Sequence, residues 1–149
     1  MATNIGFKIF ISHRIGYQDI MYWDVCSMLD RAVENNIISS WTNLSLPPHR
    51  DIETQLGRKV SDTQIIEMVA SRVQQSSAVL IVDRKAASFG NFVIDELTEA
   101  VKSTTPIICL QHPSFRIGSG QLPWNYHKMY ESAWRFDSLG NTLVIARGY

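Results

Sequence analysis

The segment "FKIFISHR", from Phe7 to Arg14, has four apolar residues among its first five and then three polar residues in succession. A run this short and this continuously apolar is typical of a strand that is covered on both faces, as in the middle of a parallel sheet. In open α/β sheets, ligands bind beyond the carboxyl ends of the strands. Ser12, His13 and Arg14 are therefore candidate ligand-binding residues. The alternative is that Ser12 caps the strand and the other two side chains point into water.

Further apolar runs alternate with segments of helical periodicity. The runs "AVLIVD" (78–83) and "PIICLQ" (106–111) predict two more buried strands, and "IISSWT" (37–42) predicts a weaker one. Because helices separate these strands, we expect a parallel sheet with right-handed crossovers and helices on both faces. The sequence therefore predicts an α/β, flavodoxin-like fold with five strands.

Three helices are predicted from apolar residues that recur at helical spacing. The first follows Asp19 and ends at Asn35 and Asn36, the second opens with the capping-box pair Ser61 and Gln64, and the third follows Asn91. Their expected apolar stripes are Met21, Val25, Met28, Leu29, Ala32 and Val33; Ile65, Ile66, Val69, Ala70 and Val73; and Val93, Leu97, Ala100 and Val101.

The remaining segments have weaker patterns. Residues Asn43 to Lys59 hold two prolines and a glycine without sustained periodicity, which predicts a long loop of the kind that often has a function. Near the end of the chain, Asn125 to Trp134 is expected to be a helix, and "TLVIAR" (142–147) is expected to be the last strand.

The composition excludes several classes of protein. The 149 residues predict a single domain spanning 1–149, and 14 basic residues balance 14 acidic ones, so nothing favours binding to nucleic acid or to an anionic membrane. No apolar run reaches the length of a membrane span, and no signal peptide is recognisable, which predicts a soluble cytoplasmic protein. Cys26 and Cys109 are expected to be reduced core residues, and the four histidines lack metal-ligand spacing, so no metal site is predicted.

The common phosphate-binding and hydrolase motifs are missing. The turn after the first strand has only Gly16 where a dinucleotide-binding domain has three glycines, and neither a Walker motif nor a G-x-S-x-G elbow occurs. Asp83 ends a predicted strand, as the phosphoacceptor of a response regulator does. Such a site needs further carboxylates after the first strand to hold magnesium, and Ser12 and His13 stand there instead.

Two motifs resemble those of Toll/interleukin receptor (TIR) domains. "KIFISHR" is similar to the opening strand of that family. "SSAVLIVDRKAASFGNFVIDELTEAVKSTTPIICL" resembles its second signature, an apolar strand followed by Ser88, Phe92, Glu96, Leu97 and Ala100 at the family's spacing. Among subfamilies the chain is most similar to the short bacterial TIR-like proteins of antiphage defence, of the Thoeris type. It departs from the family where Phe92 replaces the common tryptophan and where the loop 43–59 does not align.

The resemblance implies cleavage of the bond between nicotinamide and ribose in NAD+, which is then a substrate and not a cofactor. That bond breaks through an oxocarbenium-like transition state, which a nearby carboxylate stabilises. Glu96 matches the family's catalytic carboxylate, and a helical wheel puts it at the border of the apolar stripe, with Asp95 and Glu99 turned further toward water. We therefore expect Glu96 to be the catalytic residue.

The resemblance also implies a binding cleft around that carboxylate. Ser12, His13 and Arg14 would line it, with the Arg14 guanidinium on the pyrophosphate. Ser88 belongs to the signature loop. The aromatic residues expected to stack against nicotinamide or ribose are Phe89, Phe92 and, more weakly, Trp41.

Three functions are consistent with the resemblance. The first is an NAD+ glycohydrolase or cyclase whose diffusible product, a cyclic ADP-ribose isomer or another ADP-ribose derivative, reaches a separate effector in antiphage immunity. The second is an adaptor that only assembles with other TIR domains, although an adaptor needs no carboxylate at position 96. The third is an enzyme like the nucleoside deoxyribosyltransferases. The loop 43–59 matches the segment through which TIR domains assemble head to tail, so a homo-oligomer or filament is also expected.

Overall fold

The computed structural model describes residues 6–12, 20–45, 59, 61–81, 93–111 and 125–148. Within these residues, five strands form one sheet in the order β2-β1-β3-β4-β5, and every neighbouring pair is parallel. This confirms the predicted flavodoxin-like α/β fold. The elements in chain order are β1 (Gly6–Ser12), α1 (Ile20–Glu34), β2 (Ser40–Asn43), α2 (Asp62–Gln75), β3 (Ala78–Ile81), α3 (Val93–Lys102), β4 (Ile107–Gln111), β5 (Met129–Ala133) and α4 (Phe136–Arg147).

The three central strands are apolar on both faces because helices cover both. On one face, Phe10, Val79 and Ile107 belong to a cluster with buried residues of α2 and α3. On the other face, Ile9, Leu80 and their neighbours pack against α1 and α4. We call these the α2/α3 face and the α1/α4 face. Successive side chains of a strand point to opposite faces, so the parity of a residue along a strand decides which layer it joins.

The ends of α1 and α3 explain two unusual backbone conformations. Asn36 has a φ of 60° and Thr104 a φ of 59°. After α1, the amide of Asn36 donates to the carbonyl of Val33 and that of Ile37 to the carbonyl of Ala32. This pattern is a Schellman motif, in which the first residue beyond the helix is left-handed. Thr104 occupies the same position after α3, where a β-branched residue is strained.

The capping box predicted at Ser61 is present. Ser61 Oγ accepts from the Gln64 amide at 3.2 Å, and Gln64 Oε1 accepts from the Ser61 amide at 2.9 Å. Two amides at the start of α2 are thereby satisfied, as the spacing of the two residues predicts.

Near the end of the chain, two predictions are wrong. Residues 125–134, expected to be a helix, instead contain β5, and 142–147, expected to be a strand, belong to α4. Leu139, Gly140 and Leu143 of α4 are buried, whereas Ile145 is 62% exposed. Spacings of one, three and four residues put the buried positions on one side of a helix, so the run "LVI" is not a continuously buried strand.

Smaller corrections concern the edges of the helical stripes and of β2. Ile66 and Val101, expected in the apolar stripes, are 41% and 40% exposed. The strand expected at 37–42 begins at Ser40 and ends at Asn43, which was expected to open the long loop. β2 is one of the two edge strands of this sheet and lies largely open to solvent, so its sequence lacks the apolar continuity of the central strands.

Helix α4 is fixed to the start of β1. The Arg147 guanidinium donates to the carbonyl of Gly6 and stacks over the Phe7 ring, 4.6 Å from its centroid. At its middle, α4 approaches the end of α1 and the turn after it so closely that a Cβ on Gly140 would lie 2.6 Å from Cγ2 of Ile37 and 3.2 Å from Cβ of Ala32. None of the helices in the described ranges is long and apolar enough to cross a membrane.

Candidate functional site

The strand order reverses direction between β1 and β3, and ligand sites of open α/β sheets form beyond the carboxyl ends at such a point. Ser12, the last residue of β1, pairs in register with Ile81, the last residue of β3. Ser12 shares the parity of Phe10, so its side chain is on the α2/α3 face. The chain therefore brings a hydroxyl to the position where the fold favours a ligand.

The Ser12 hydroxyl is buried. The residue is 1% exposed, and among the described residues its Oγ has no hydrogen-bond partner. Leaving a buried hydroxyl unbonded costs on the order of 1–3 kcal/mol. Such a group is uncommon in a stable core and is a reason to look for a ligand.

Glu96 lies on the same face of the sheet and toward the same edge. It is in the first turn of α3, the helix that follows β3, and its neighbour Leu97 belongs to the α2/α3 cluster. The residue is only 6% exposed, so it lies inside the domain. Thr98 is exposed, and Glu99 is bonded to Ser103 and Gln74 at the surface.

The start of a helix is a favourable place for a carboxylate. The unbonded amides of the first turn carry partial positive charge, which stabilises a nearby negative group. Glutamate is rarely buried to this extent unless it has a partner or a role. Glu96 therefore combines deep burial with a position toward the carboxyl edge of the sheet, on the helix that follows the strand paired with β1.

A hydrogen-bond network fixes the backbone just before Ser12. The amide of Ile11 donates to Ser45 Oγ at 2.8 Å, because the regular pairing of β2 with β1 ends at Asn43. The Ser45 amide donates to Asn43 Oδ1, and Asn43 Nδ2 donates to the Tyr22 hydroxyl at 2.6 Å. Burial raises the pKa of Tyr22, so this hydroxyl stays protonated at neutral pH.

Arg72 of α2 completes this arrangement from the other side. Its guanidinium donates to the carbonyls of Leu44 and Ser45 at 3.2 and 3.4 Å. Neither Ser45 nor Arg72 was predicted from the sequence. The Asx turn from Asn43 to Ser45 is a signal that the sequence contained, whereas nothing local indicates that Arg72 reaches across to it.

Trp41 is not brought together with Ser12 and Glu96. It pairs in register with Phe7, near the start of β1, and packs against the cluster on the α1/α4 face. Its Nε1 donates to Asp30 Oδ1 of α1 at 2.8 Å. Trp41 thus lies across the sheet from the candidate site, where its ring supports the packing of α1.

The other predicted binding residues lie outside the described residues: His13, Arg14, Ser88, Phe89 and Phe92, together with Asp83 and most of the loop 43–59.

A separate cavity lies on the α1/α4 face. Its volume is about 510 Å³, and Met28, Arg31, Trp134 and Phe136 are among the residues that line it. The Arg31 guanidinium stacks on the Phe136 ring at 4.4 Å from the centroid. This cavity is separated from Ser12 and Glu96 by the sheet, so we do not include it in the candidate site.

The two cysteines are free thiols. Cys109 is fully buried on the α2/α3 face, and burial, with a smaller contribution from Glu131, raises the pKa of its thiol to about 12. It is therefore protonated and unreactive at neutral pH. Within the part of the chain that the structure describes, no cluster of His, Cys, Asp and Glu is arranged to hold a metal ion.

Comparison with known proteins finds no matching family model, no similar curated protein and no similar solved structure. The likeness to TIR domains therefore depends on the two sequence motifs.

Proposed function

We propose that the protein is a TIR-like enzyme that cleaves the bond between nicotinamide and ribose in NAD+. The observation that carries this proposal is the buried Glu96 carboxylate in the first turn of α3, on the same face and toward the same edge of the sheet as Ser12. A carboxylate held away from bulk water is effective at stabilising a developing positive charge.

In the proposed reaction the bond between C1′ of the ribose and the nicotinamide nitrogen breaks, and nicotinamide leaves with the bonding electrons. Glu96 stabilises the positive charge that develops at C1′ and the ring oxygen. Water adds to C1′ and loses a proton to give ADP-ribose, or a nucleophile within the same molecule adds to give a cyclic product. Either product would then act as a diffusible signal to a separate effector in antiphage defence.

The direct test is incubation of the purified protein with NAD+, followed by mass spectrometry of the products. Glu96→Gln keeps the volume and removes the charge, and we expect it to lower turnover by at least roughly a hundredfold. Glu99→Gln is the matched control, since Glu99 lies on the same helix but bonds to Ser103 and Gln74. Equal activity of Glu96→Gln and wild type would refute the proposal.

The same assay, run with NAD+ and with deoxynucleosides, separates the alternatives. An adaptor that acts only by assembly gives no turnover, whereas an enzyme like the deoxyribosyltransferases releases the base from deoxynucleosides and spares NAD+. We retain the adaptor as the second candidate because the fold itself is compatible with either role.

We also propose that the loop after β2 controls activity through assembly of the chain. Leu44, which begins this segment, is half-buried and bonded through its backbone to Ile9 and Arg72. If neighbouring copies complete each other's sites, NAD+ cleavage per molecule rises with protein concentration. Constant specific activity over a hundredfold dilution, from a species that light scattering shows to be monomeric, would rule this out.

A further inference from the structure

The Ser12 hydroxyl is buried at the carboxyl end of β1. In the described part of the chain, nothing accepts or donates a hydrogen bond at its Oγ, although the residue is 1% exposed. The chain has a contrasting example in Ser132, which is 2% exposed at the end of β5. Ser132 Oγ is bonded to the carbonyl of Ala133 at 2.8 Å and to Ser138 Oγ at 3.2 Å.

The surroundings of Ser12 indicate what kind of ligand group it would bond. Ser12 and Glu96 are on the same face of the sheet, and α3, which carries Glu96, follows the strand that pairs with Ser12. A carboxylate accepts hydrogen bonds, whereas a serine hydroxyl both donates and accepts. Two such groups, on one face of the sheet and toward the same edge, match a pair of neighbouring hydroxyls, which is what a ribose presents at C2′ and C3′.

The chemistry of the cleavage assigns one hydroxyl to each residue. A carboxylate that stabilises charge at C1′ lies nearest the hydroxyl at C2′, and bonds to that hydroxyl strengthen in the transition state of glycoside hydrolysis. In the proposed cleavage Glu96 holds the 2′-hydroxyl of the nicotinamide ribose, and we propose that Ser12 bonds the neighbouring 3′-hydroxyl, which makes Ser12 a determinant of sugar specificity. This inference rests on the proposed cleavage of NAD+.

A site built to bond a hydroxyl rejects an analogue that lacks it, because a buried polar group is then left without a partner. The wild-type protein is therefore expected to favour NAD+ over the analogue whose nicotinamide ribose lacks the 3′-hydroxyl. Ser12→Ala removes the protein's half of the bond, so the variant should no longer distinguish the two substrates by this group.

The test compares kcat/KM for NAD+ and for the 3′-deoxy analogue in wild type, Ser12→Ala and Ser132→Ala. We expect Ser12→Ala to lower kcat/KM about tenfold for NAD+ and less than about twofold for the analogue. Ser132→Ala removes a serine of equal burial on the other face of the sheet, and it should leave the ratio of the two substrates at the wild-type value. A general loss of structural integrity would lower both substrates together and would not change that ratio.

Two results would overturn the inference. In the first, Ser12→Ala and wild type show the same ratio of kcat/KM for the two substrates while Glu96→Gln is inactive. Ser12 then does not bond the 3′-hydroxyl, and the proposed cleavage stands. If the wild-type protein cleaves neither substrate, the proposed function fails and the role of Ser12 fails with it.

Discussion

Replacing Ser12 by alanine is expected to leave the folded domain as stable as before or more stable. Most substitutions of a buried residue have the opposite effect. The Ser12 hydroxyl is desolvated and, as far as the described residues extend, unbonded, so its removal relieves a penalty on the order of 1–3 kcal/mol. The space left by one oxygen atom offsets part of this gain. The expected net change is an increase of about 1 kcal/mol in the free energy of unfolding.

Ser132→Ala provides the comparison, because burial and residue type are matched while the hydrogen bonds differ. Its hydroxyl is bonded to Ala133 and Ser138, so alanine should lower the free energy of unfolding by about 1–2 kcal/mol. The two variants should then differ by roughly 2–3 kcal/mol. For a domain of this size, each 1 kcal/mol changes Tm by about 2–4 °C.

The assay is urea denaturation of the three proteins in the absence of nucleotide, with the slopes checked for equality so that midpoints report stability. A loss of 1 kcal/mol or more in Ser12→Ala would refute the reasoning, because it would mean that the hydroxyl is already bonded in the free protein. In that case Ser12 has a structural role, and its hydroxyl is not available to bond a ligand.

Three other substitutions test separate features of the fold. Gly140→Ala would stabilise an open helix, but here it is expected to destabilise by about 1–3 kcal/mol, because the new Cβ meets Ile37, just after α1, and approaches Ala32 of α1. A chemical denaturation curve equal to or above wild type would contradict this. Thr104→Gly should raise the free energy of unfolding by about 0.5–1 kcal/mol because it relieves the left-handed conformation after α3, and thermal melting that shows a decrease would exclude strain there. Cys109→Ala should reduce the decrease in the free energy of unfolding that occurs at alkaline pH. The pKa of this thiol is about 12 in the folded protein and 9.0 in the unfolded chain. Its contribution to stability is therefore complete below about pH 9 and declines by up to about 1.4 kcal/mol per pH unit as the pH rises toward 12. Urea titrations at pH 7.5 and 10 measure this slope, and identical slopes for variant and wild type would rule out the buried thiol as its source.

Continuity of apolar residues explains why the centre of the fold was predictable. β1, β3 and β4 are covered on both faces, so their sequences contain apolar runs that little else produces. β5 lies at the edge of the sheet and mixes half-buried and exposed positions, which removes that signal. The run of β-branched and apolar residues in α4 was therefore predicted to be the last strand. The spacing from Leu139 to Leu143 is nevertheless that of a helix.

The places of Ser12 and Glu96 in the fold were predictable, whereas their surroundings were not. The end of β1 and the spacing of the second motif indicated Ser12 and Glu96, and parity along β1 puts Ser12 on the face that α3 covers. The degree of burial of Glu96 could not be read from a helical wheel, which treats the helix as isolated and cannot see α2 or the sheet beside it. The contribution of Arg72 was hidden for the same reason, since its partners lie 27 and 28 positions away in the chain.

The contact between Arg147 and Gly6 has a practical consequence for anyone who handles the protein. It joins the last helix to the first residue of β1, at the edge of the sheet where the strands begin, and Ser12 ends β1 at the opposite edge. A purification tag or fluorophore attached just beyond α4 would start on the side of the domain remote from Ser12. The same proximity makes the two segments suitable for joining by a short glycine-rich linker, so that the chain can be reopened at the exposed turn formed by Asn35 and Asn36.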